Sequence, residues 1–392
     1  MKAIICGAGI TGLAAANRLS DIGWEVVVVE KAPGPRPQGY MIDFFGPGFE
    51  ATQHMGLQSR VRELGYHVKT FAYVDEEGRT RASVDYTRFA KVLEGHIVSI
   101  LRPDIELALR ESVEDSVDLR YGTRIETIAN SADGVRVGLT DGTTVDGDLL
   151  IGADGIHSQT RDQVFGPESD YLRYLGFHTG AYIFDDPEIH QLVGDGFYLT
   201  DTVDKQMGFY GLRGTKVAVF TVHRTDDPAL PADSQAAVRD AYRDLGWIAQ
   251  KALAACPGSH EVYYDQVAQI EMPQWIDKRV VLLGDSSYAV SLMAGQGASL
   301  GIAGAYVMAR LIDSTPDLDA ALARFQERWH PVVTERQRVA RRGISWFLPH
   351  SPSQLTMRRW AIKAMKLPGL DRYLGKAFLG KSHVSVQSLS EA

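Results

Sequence analysis

Cysteine is scarce in this chain: only Cys6 and Cys256 occur among its 392 residues. A single pair cannot build a disulfide framework, so cross-linking is excluded as the source of stability and a reducing, cytoplasmic setting is expected. Histidine and cysteine never fall at metal-ligand spacing, so no metal is expected. Long apolar runs are missing as well, and no stretch reaches the length needed to span a bilayer. The N-terminus opens directly on a strand-like run, and no leader segment is expected. Positive charge is in the minority, 41 Lys and Arg against 49 Asp and Glu, and the net charge of −8 argues against a general nucleic-acid binder. No internal repeat or low-complexity stretch stands out. The composition is otherwise that of an ordinary globular protein, long enough for more than one domain at about 100–200 residues each.

The N-terminal segment is the most informative part of the chain. Lys2 to Cys6 reads as a buried parallel strand and ends in Gly7-Ala8-Gly9-Ile10-Thr11-Gly12. Gly7 permits a tight turn, Gly9 lets the backbone approach a pyrophosphate, and Gly12 lets a helix pack close to the strand. Apolar periodicity through Leu13, Ala16 and Leu19 then marks that helix, whose N-terminus offers free N–H groups and positive dipole to phosphate. A second strand, Glu25 to Val29, ends at Glu30, about 20 residues past the glycines, where a ribose hydroxyl is bound in dinucleotide folds. A carboxylate repels a 2′-phosphate, so the site favours the adenosine of FAD or NAD. Lys31 follows, either beside the adenine or as an ordinary solvated lysine.

Further along, a turn-rich break at Pro33 to Pro37 and a glycine-rich loop from Gly39 to Phe49 precede a helix expected over Phe49 to Leu64. A hairpin is predicted from Val68 to Tyr86, and His96 to Leu101 is either a strand or the start of a helix. Pro103 suits a helix start, with Ile105, Leu109 and Val113 on one face. Short strands are predicted at Leu119–Tyr121, Arg124–Ile128, Val135–Leu139 and Thr144–Val145, then a buried strand at Leu149–Ile151. From Tyr171 to Val267 alternating strands dominate, broken by a helix over Asp233 to Leu253. The parallel pattern returns at Val280 to Leu283, and a long helical pattern covers Leu318 to Arg342. The expected architecture is α/β: a discontinuous Rossmann-like domain (1–67, 96–170 and 268–340) with an inserted, mostly antiparallel sheet domain (68–95 and 171–267) and C-terminal helices (341–392). In that last segment Arg358, Arg359, Lys363 and Lys366 accompany Trp360, Ile362 and Met365, a pattern that fits either a packing face or a membrane-surface helix, with packing favoured.

Two later motifs make the sequence specific. One is Gly152-Ala153-Asp154-Gly155-Ile156-His157-Ser158 with Arg161 just after it. The other is Gly284-Asp285-Ser286-Ser287 followed by Ala294-Gly295-Gln296-Gly297-Ala298-Ser299. With the N-terminal glycines, in this order, they resemble the group A flavin-dependent aromatic monooxygenases, the para-hydroxybenzoate hydroxylase superfamily, over residues 1 to about 340. The compact, tetracycline-inactivating members are the most similar in layout. The resemblance implies FAD as cofactor, with Asp154 at the pyrophosphate and in NADPH handling, Arg161 behind it, and Asp285 on the ribityl chain. It also implies Gly295 to Ser299 as the loop and helix start beneath the isoalloxazine, and Arg102 as an arginine contacting the phosphates. Placing a helix N-terminus there agrees with the negative charge of reduced flavin.

The chemistry is likewise implied by the resemblance. NADPH or NADH would reduce FAD and leave, since no second glycine fingerprint follows a strand. Oxygen would add to give a C4a-hydroperoxide, which would hydroxylate a small aromatic or polycyclic, polyketide-like substrate. No side chain need act as nucleophile. Asp43, in the loop Gly39-Tyr40-Met41-Ile42-Asp43, resembles an acid of the tetracycline-inactivating members or is a turn-capping aspartate. Phe184, Phe197, Tyr198, Met207, Phe209, Tyr210, Arg213, Phe220 and His223 are the residues of the inserted layer that could roof a substrate chamber, with Arg213 and His223 as polar anchors. Alternating aromatics of this kind are also what a sheet core contains. His157 is expected to be structural. The sequence departs from the family where a common histidine is Tyr288, prolines are Ala289 and Ser291, and a common acidic pair is Gly304-Ala305. Three alternatives stay open: a reductase or dehydrogenase of the prenyl-reductase kind, a flavin-dependent halogenase (whose Trp-x-Trp-x-Ile-Pro signature is absent), and a non-catalytic FAD protein that sequesters a ligand.

Overall fold

The structure is a computed structural model and describes residues 1–36, 39–87, 95–291, 295–364 and 385–391. Met365 and Lys366 of the basic C-terminal pattern, Ala294 of the third motif and Pro37 of the proline-rich break fall outside those residues. Glu25–Glu30 carries a run of valines buried on both faces, the pattern of a central parallel strand. It pairs with Lys2–Cys6 on one side and Asp118–Tyr121 on the other. The full sheet runs Ile276–Asp277, Val280–Leu282, Leu149–Gly152, Lys2–Cys6, Glu25–Glu30, Asp118–Tyr121, parallel apart from its first pair. Its strands come from widely separated parts of the chain, so each motif is delivered to the same sheet end from a different stretch of sequence. An antiparallel meander, Ile125–Asn130, Val135–Leu139 and Thr144–Gly147, flanks it.

The second large sheet has seven strands in the order Tyr263–Ile270, Leu172–Asp185, Lys216–Arg224, Lys205–Gly211, Gly196–Thr200, Thr70–Val74, Thr80–Asp85. All neighbours are antiparallel except Gly196–Thr200 with Thr70–Val74. Both its faces are covered. Helices Ser234–Tyr242 and Ala249–Ala254 pack on one face over Tyr182, Phe184, Met207, Phe209, Val217 and Val219. The other, inner face carries Phe220, Tyr263, Tyr210 and Phe197 and looks toward the parallel sheet. The strand register sets this division: Phe220 pairs with Ala181 and Gly208, while Val219 pairs with Tyr182 and Phe209.

Several sequence expectations are revised. The helix over Phe49 to Leu64 is two helices, Pro47–His54 and Gln58–Leu64, divided at Gly56, whose φ of 71° ends the first. The glycine-rich loop contains a strand, Met41–Phe45, paired with Ile97–Leu101, which settles the latter as strand. The Asp233–Leu253 helix is broken by Trp247, at φ 54°, whose backbone N–H donates to the Glu76 carbonyl. The long helix runs further than expected, Leu318–Phe347, through Pro331.

The C-terminal helix Pro352–Ala364 packs against the seven-stranded sheet. Arg358 and Ile362 are buried, and Arg358 reaches Asp201 at 2.9 Å with its guanidinium over the Tyr73 ring. Trp360, by contrast, is 71% exposed, so the apolar residues of this helix do not share one face. No helix among the described residues is long and apolar enough to cross a membrane.

Candidate functional site

The glycine turn behaves as its spacing requires. Gly7 has φ 106°, and a Cβ there would lie 2.5 Å from the Ala153 carbonyl oxygen, so the first and second motifs touch only because this side chain is absent. At Gly12 a Cβ would meet the Gly7 carbonyl at 1.9 Å. Gly9 is different: a Cβ there would meet only the Arg102 guanidinium, at 3.6 Å, which leaves the backbone open toward the cleft. The helix Ile10–Asp21 begins at this point with no side-chain cap and no acid in its first turn. Its free N–H groups therefore await an anion. Glu30 accepts from the Ala8 N–H at 2.9 Å and the Ala32 N–H at 2.8 Å, which fixes its carboxylate and leaves lone pairs for a ribose diol. Lys31 is exposed at the rim of this cleft. The donor set suits a pyrophosphate and an adenosine.

The second and third motifs are joined by side chains that act locally. The Asp154 carboxylate accepts from Ser158 Oγ and from Thr160 N and Oγ1, so it caps its own turn at the edge of the cleft. Arg161 is fully buried; it donates to the Ser286 carbonyl at 3.0 Å, the Ile156 carbonyl at 2.8 Å and Glu168 at 2.9 Å. The resemblance sets it among the cofactor-binding residues; in the structure it ties the turn after Gly284-Asp285 to the second motif. Thr11 occupies the space that side chains at Gly284 and Gly301 would fill: a Cβ at either position would lie 2.5 or 2.2 Å, respectively, from its Oγ1. Gly301 was not singled out by spacing, yet it lets the helices Ile10–Asp21 and Gly297–Ser314 meet.

Asp285 lies deep in the protein with its side chain open to the cleft. Loss of surrounding water pushes its carboxyl up, the Arg102 guanidinium opposes this, and Asp265 adds to it. Gly297 begins the helix Gly297–Ser314, which has no side-chain cap and no acid in its first turn. The residues 295–298 are all partly accessible from the cleft. Ser299 turns away: its hydroxyl donates to the Phe45 carbonyl at 2.6 Å and accepts from Gly48 N–H at 2.9 Å, stapling this helix to the strand Met41–Phe45. Arg102 pairs with Glu106 at 2.9 Å at the start of its own helix and lies between the glycine turn and Asp285.

Near Asp285 the inner face of the seven-stranded sheet carries a cluster of aromatic rings. Tyr40 packs against Tyr263 and Phe220, with ring centroids 5.6 and 6.4 Å apart. Tyr263 and Asp265 were not among the sequence candidates, and Tyr40 was named only within the Gly39–Asp43 loop. Tyr263 and Asp265 alternate on one strand, and that period was the available signal. Asp43 is held by Tyr86 and by Ser99 Oγ at 2.7 Å, and burial raises its carboxyl. It belongs to a strand, so a turn-cap role is ruled out.

Of the proposed roof residues, Phe220, Phe197 and Tyr210 are on the inner face. Phe184, Met207, Phe209 and Tyr198 are on the opposite face, in or against the core beneath the two helices. His223 is also on that side, bonded to Tyr242 at 3.0 Å, and burial pushes its imidazole down to about 4. Arg213 is on the outer surface, donating to the carbonyls of Glu63, Leu64 and Gly65 and lying over the Tyr66 ring. Neither side chain is on the inner face with Phe220 and Tyr263. The cause is strand parity: both faces of the sheet are apolar, so aromatic alternation does not reveal which one is inward.

Residues 1–334 match the FAD binding domain family. The chain belongs to that family. A relative, the FAD-dependent monooxygenase asL6 of Sarocladium schorii, is 30% identical over 379 residues, 88% of each chain. The solved structure of tetracycline destructase Tet(55) superposes with a TM-score of 0.80 at 27% identity, covering 93% of this chain and 95% of that one. Klebsiella pneumoniae HpxO, solved with FAD and uric acid, gives the same TM-score at 23% identity over 97% of both chains, a likeness of fold. The protein is an FAD-dependent monooxygenase, and its α/β architecture with an added sheet and C-terminal helices is that of the family.

Proposed function

We propose that this monooxygenase uses NADPH or NADH and O2 to hydroxylate an aromatic or polyketide-like small molecule held against the inner face of the seven-stranded sheet. The observation that carries the proposal is the Tyr40–Phe220–Tyr263 cluster, which sets an aromatic wall beside Asp285 and the open start of the Gly297–Ser314 helix. Flat, electron-rich rings pack well on such a wall. The likeness to Tet(55), a tetracycline destructase, supports the polycyclic end of that range.

In this proposal the division of labour follows the segments 1–67, 96–170 and 268–340 for FAD and 68–95 and 171–267 for substrate. FAD would be held by backbone N–H groups of Gly7 to Gly12, by Glu30 at the ribose, by Arg102 near the phosphates, by Asp285, and by the helix start at Gly297. When bound, FAD supplies the redox chemistry that activates O2. The chain's own part is to hold the substrate ring, exclude water and manage protons. The free N–H groups at Gly297 stabilise negative charge developing at the helix start, and Asp285 and Arg102 set the field around it.

The test is a screen of aromatic and polycyclic compounds against the purified yellow protein, following stimulated NADPH and NADH oxidation with mass spectrometry of the products. A hydroxylated product with compound-stimulated turnover is expected. Tight ligand binding with no stimulated turnover would overturn the proposal.

A further inference from the structure

The pairing of the seven-stranded sheet is interrupted near the end of the long helix. Between the pairs Tyr174–Ala268 and His178–Gln266, the residues Leu175, Gly176 and Phe177 stand opposite Val267 alone. Gly176 takes φ 85° in this bulge, which its missing side chain permits. A cleft of about 520 Å³ lies here, between the sheet and the helix Leu318–Phe347. Arg173, Arg224 and Arg341 line it with Phe177 and Ile344, and Asp226 is the one acid among its described lining residues. Arg224, Val222 and Phe220 alternate on one strand, so the arginine shares the sheet face of the aromatic wall. Phe177 is opposite Arg224 on the neighbouring strand, and the guanidinium lies over its ring, 4.5 Å from the centroid. From Phe177 an apolar patch continues through Ile344 and Phe347 to Phe220. The Phe220 ring is 6.4 Å from that of Phe347 and 6.4 Å from that of Tyr40. The arginine cleft and the aromatic wall are therefore two ends of one continuous face.

We infer that this cleft is where substrate enters, and that it selects aromatic molecules bearing an acidic group such as a carboxylate. Arg173, Arg224 and Arg341 capture the anion, and the ring then passes along the apolar patch to the wall. This rests on the proposed hydroxylase function and narrows its substrate class.

The arginines are set in place by their own contacts. Arg224 Nε donates to Asp204 at 2.7 Å. Arg341 donates to Gln269 at 2.6 Å and to Glu271, which Arg173 reaches only at 3.5 Å. Each guanidinium has more N–H donors than these contacts use, and a carboxylate can take two of them side by side. Arg173 is the most loosely held of the three, with 54% of its side chain exposed at the rim. The whole chain carries a net charge of −8, so its overall field repels an anion. Arginines gathered in a cleft offset that repulsion at the place where the ligand arrives. The two ends of the face divide the work: the rings supply packing area, and the arginines supply rate of capture and choice of partner.

The test uses the FAD-loaded protein and a matched pair of probes, 2-naphthoate and 2-naphthol, which carry a carboxylate or a neutral hydroxyl on the same ring. The change in flavin absorbance on rapid mixing gives the association rate of each. The naphthoate should associate about 10-fold faster at low salt, and the advantage should shrink as salt screens the arginines. Arg173→Gln should slow the naphthoate by about 10-fold and leave the naphthol as in the wild type. Arg173→Lys should keep most of the naphthoate rate, because steering depends on charge. Equal, salt-independent rates for the two probes would overturn the entry while leaving the hydroxylase proposal standing. An Arg173→Gln protein that is reduced more slowly by NADPH but takes up naphthoate normally would also overturn it, and would give the cleft to the nucleotide phosphates. If neither probe perturbs the flavin, the aromatic-substrate proposal fails and the entry fails with it.

Discussion

A Cβ placed on Gly304 would lie 2.2 Å from the Tyr288 hydroxyl oxygen and 2.9 Å from Trp329 Nε1. Tyr288 stands where the resemblance leads one to expect a histidine, and Gly304 where it leads one to expect an acid. The two departures are one exchange: a longer side chain on the third motif is matched by the loss of a side chain on the helix facing it. Gly304→Ala should therefore destabilise the fold by about 1–3 kcal/mol through overpacking. Adding Tyr288→Phe should recover part of the loss by removing the clashing oxygen. Urea unfolding of the two single variants and the double variant checks this; strictly additive effects would disprove the exchange.

Glu30→Arg and Asp285→Ala should both yield folded protein that holds FAD poorly. Glu30→Arg loses the carboxylate that is fixed by the Ala8 and Ala32 N–H groups and introduces a cation in its place. A lost hydrogen bond to a charged group is worth about 1.5–3 kcal/mol, roughly 10- to 100-fold in retention. Flavin absorbance after dialysis measures it, and wild-type occupancy would disprove the assignment.

Arg358 and Arg359 both contact Asp201, but only Arg358 is fully buried; Arg359 is 25% exposed. Arg358→Ala leaves a buried carboxylate without its main partner and should cost about 3–5 kcal/mol. Arg359→Ala should cost under about 1 kcal/mol, as for a partly exposed pair. Chemical denaturation separates the two; equal losses would show that burial does not decide the pair's worth.

His223 favours the neutral form in the folded protein, at about 4 against 6.5 for an ordinary histidine. The unfolded chain then binds more protons between those values, so stability is present above about 6.5 and is lost as pH falls toward 4. His223→Gln, which does not titrate and can still bond Tyr242, should unfold at a lower pH than the wild type. An unchanged acid midpoint by circular dichroism would rule this out.

Much of the cofactor side is legible in the amino-acid sequence. Gly7 to Gly12 make the tight turn and close helix contact that their spacing predicts, and Glu30 ends the neighbouring strand, because a glycine turn between strand and helix is decided by local backbone geometry. Asp154, Arg161 and Ser299 stand at the expected turns but with different partners. Their side chains reach carbonyls and hydroxyls brought near by distant segments, which motif spacing does not encode.

Runs of neighbouring residues were enough to locate the buried strands Lys2–Cys6, Glu25–Glu30, Leu149–Gly152 and Val280–Leu282 and the order of the three motifs. Long-range packing was needed to set which face of the seven-stranded sheet looks inward. It brought Phe220 and Tyr263 to Tyr40 and sent His223 and Met207 beneath the outer helices. The difference arises because a strand buried on both sides alternates between two apolar environments. Only the register of its partners and the elements packed above and below tell one from the other.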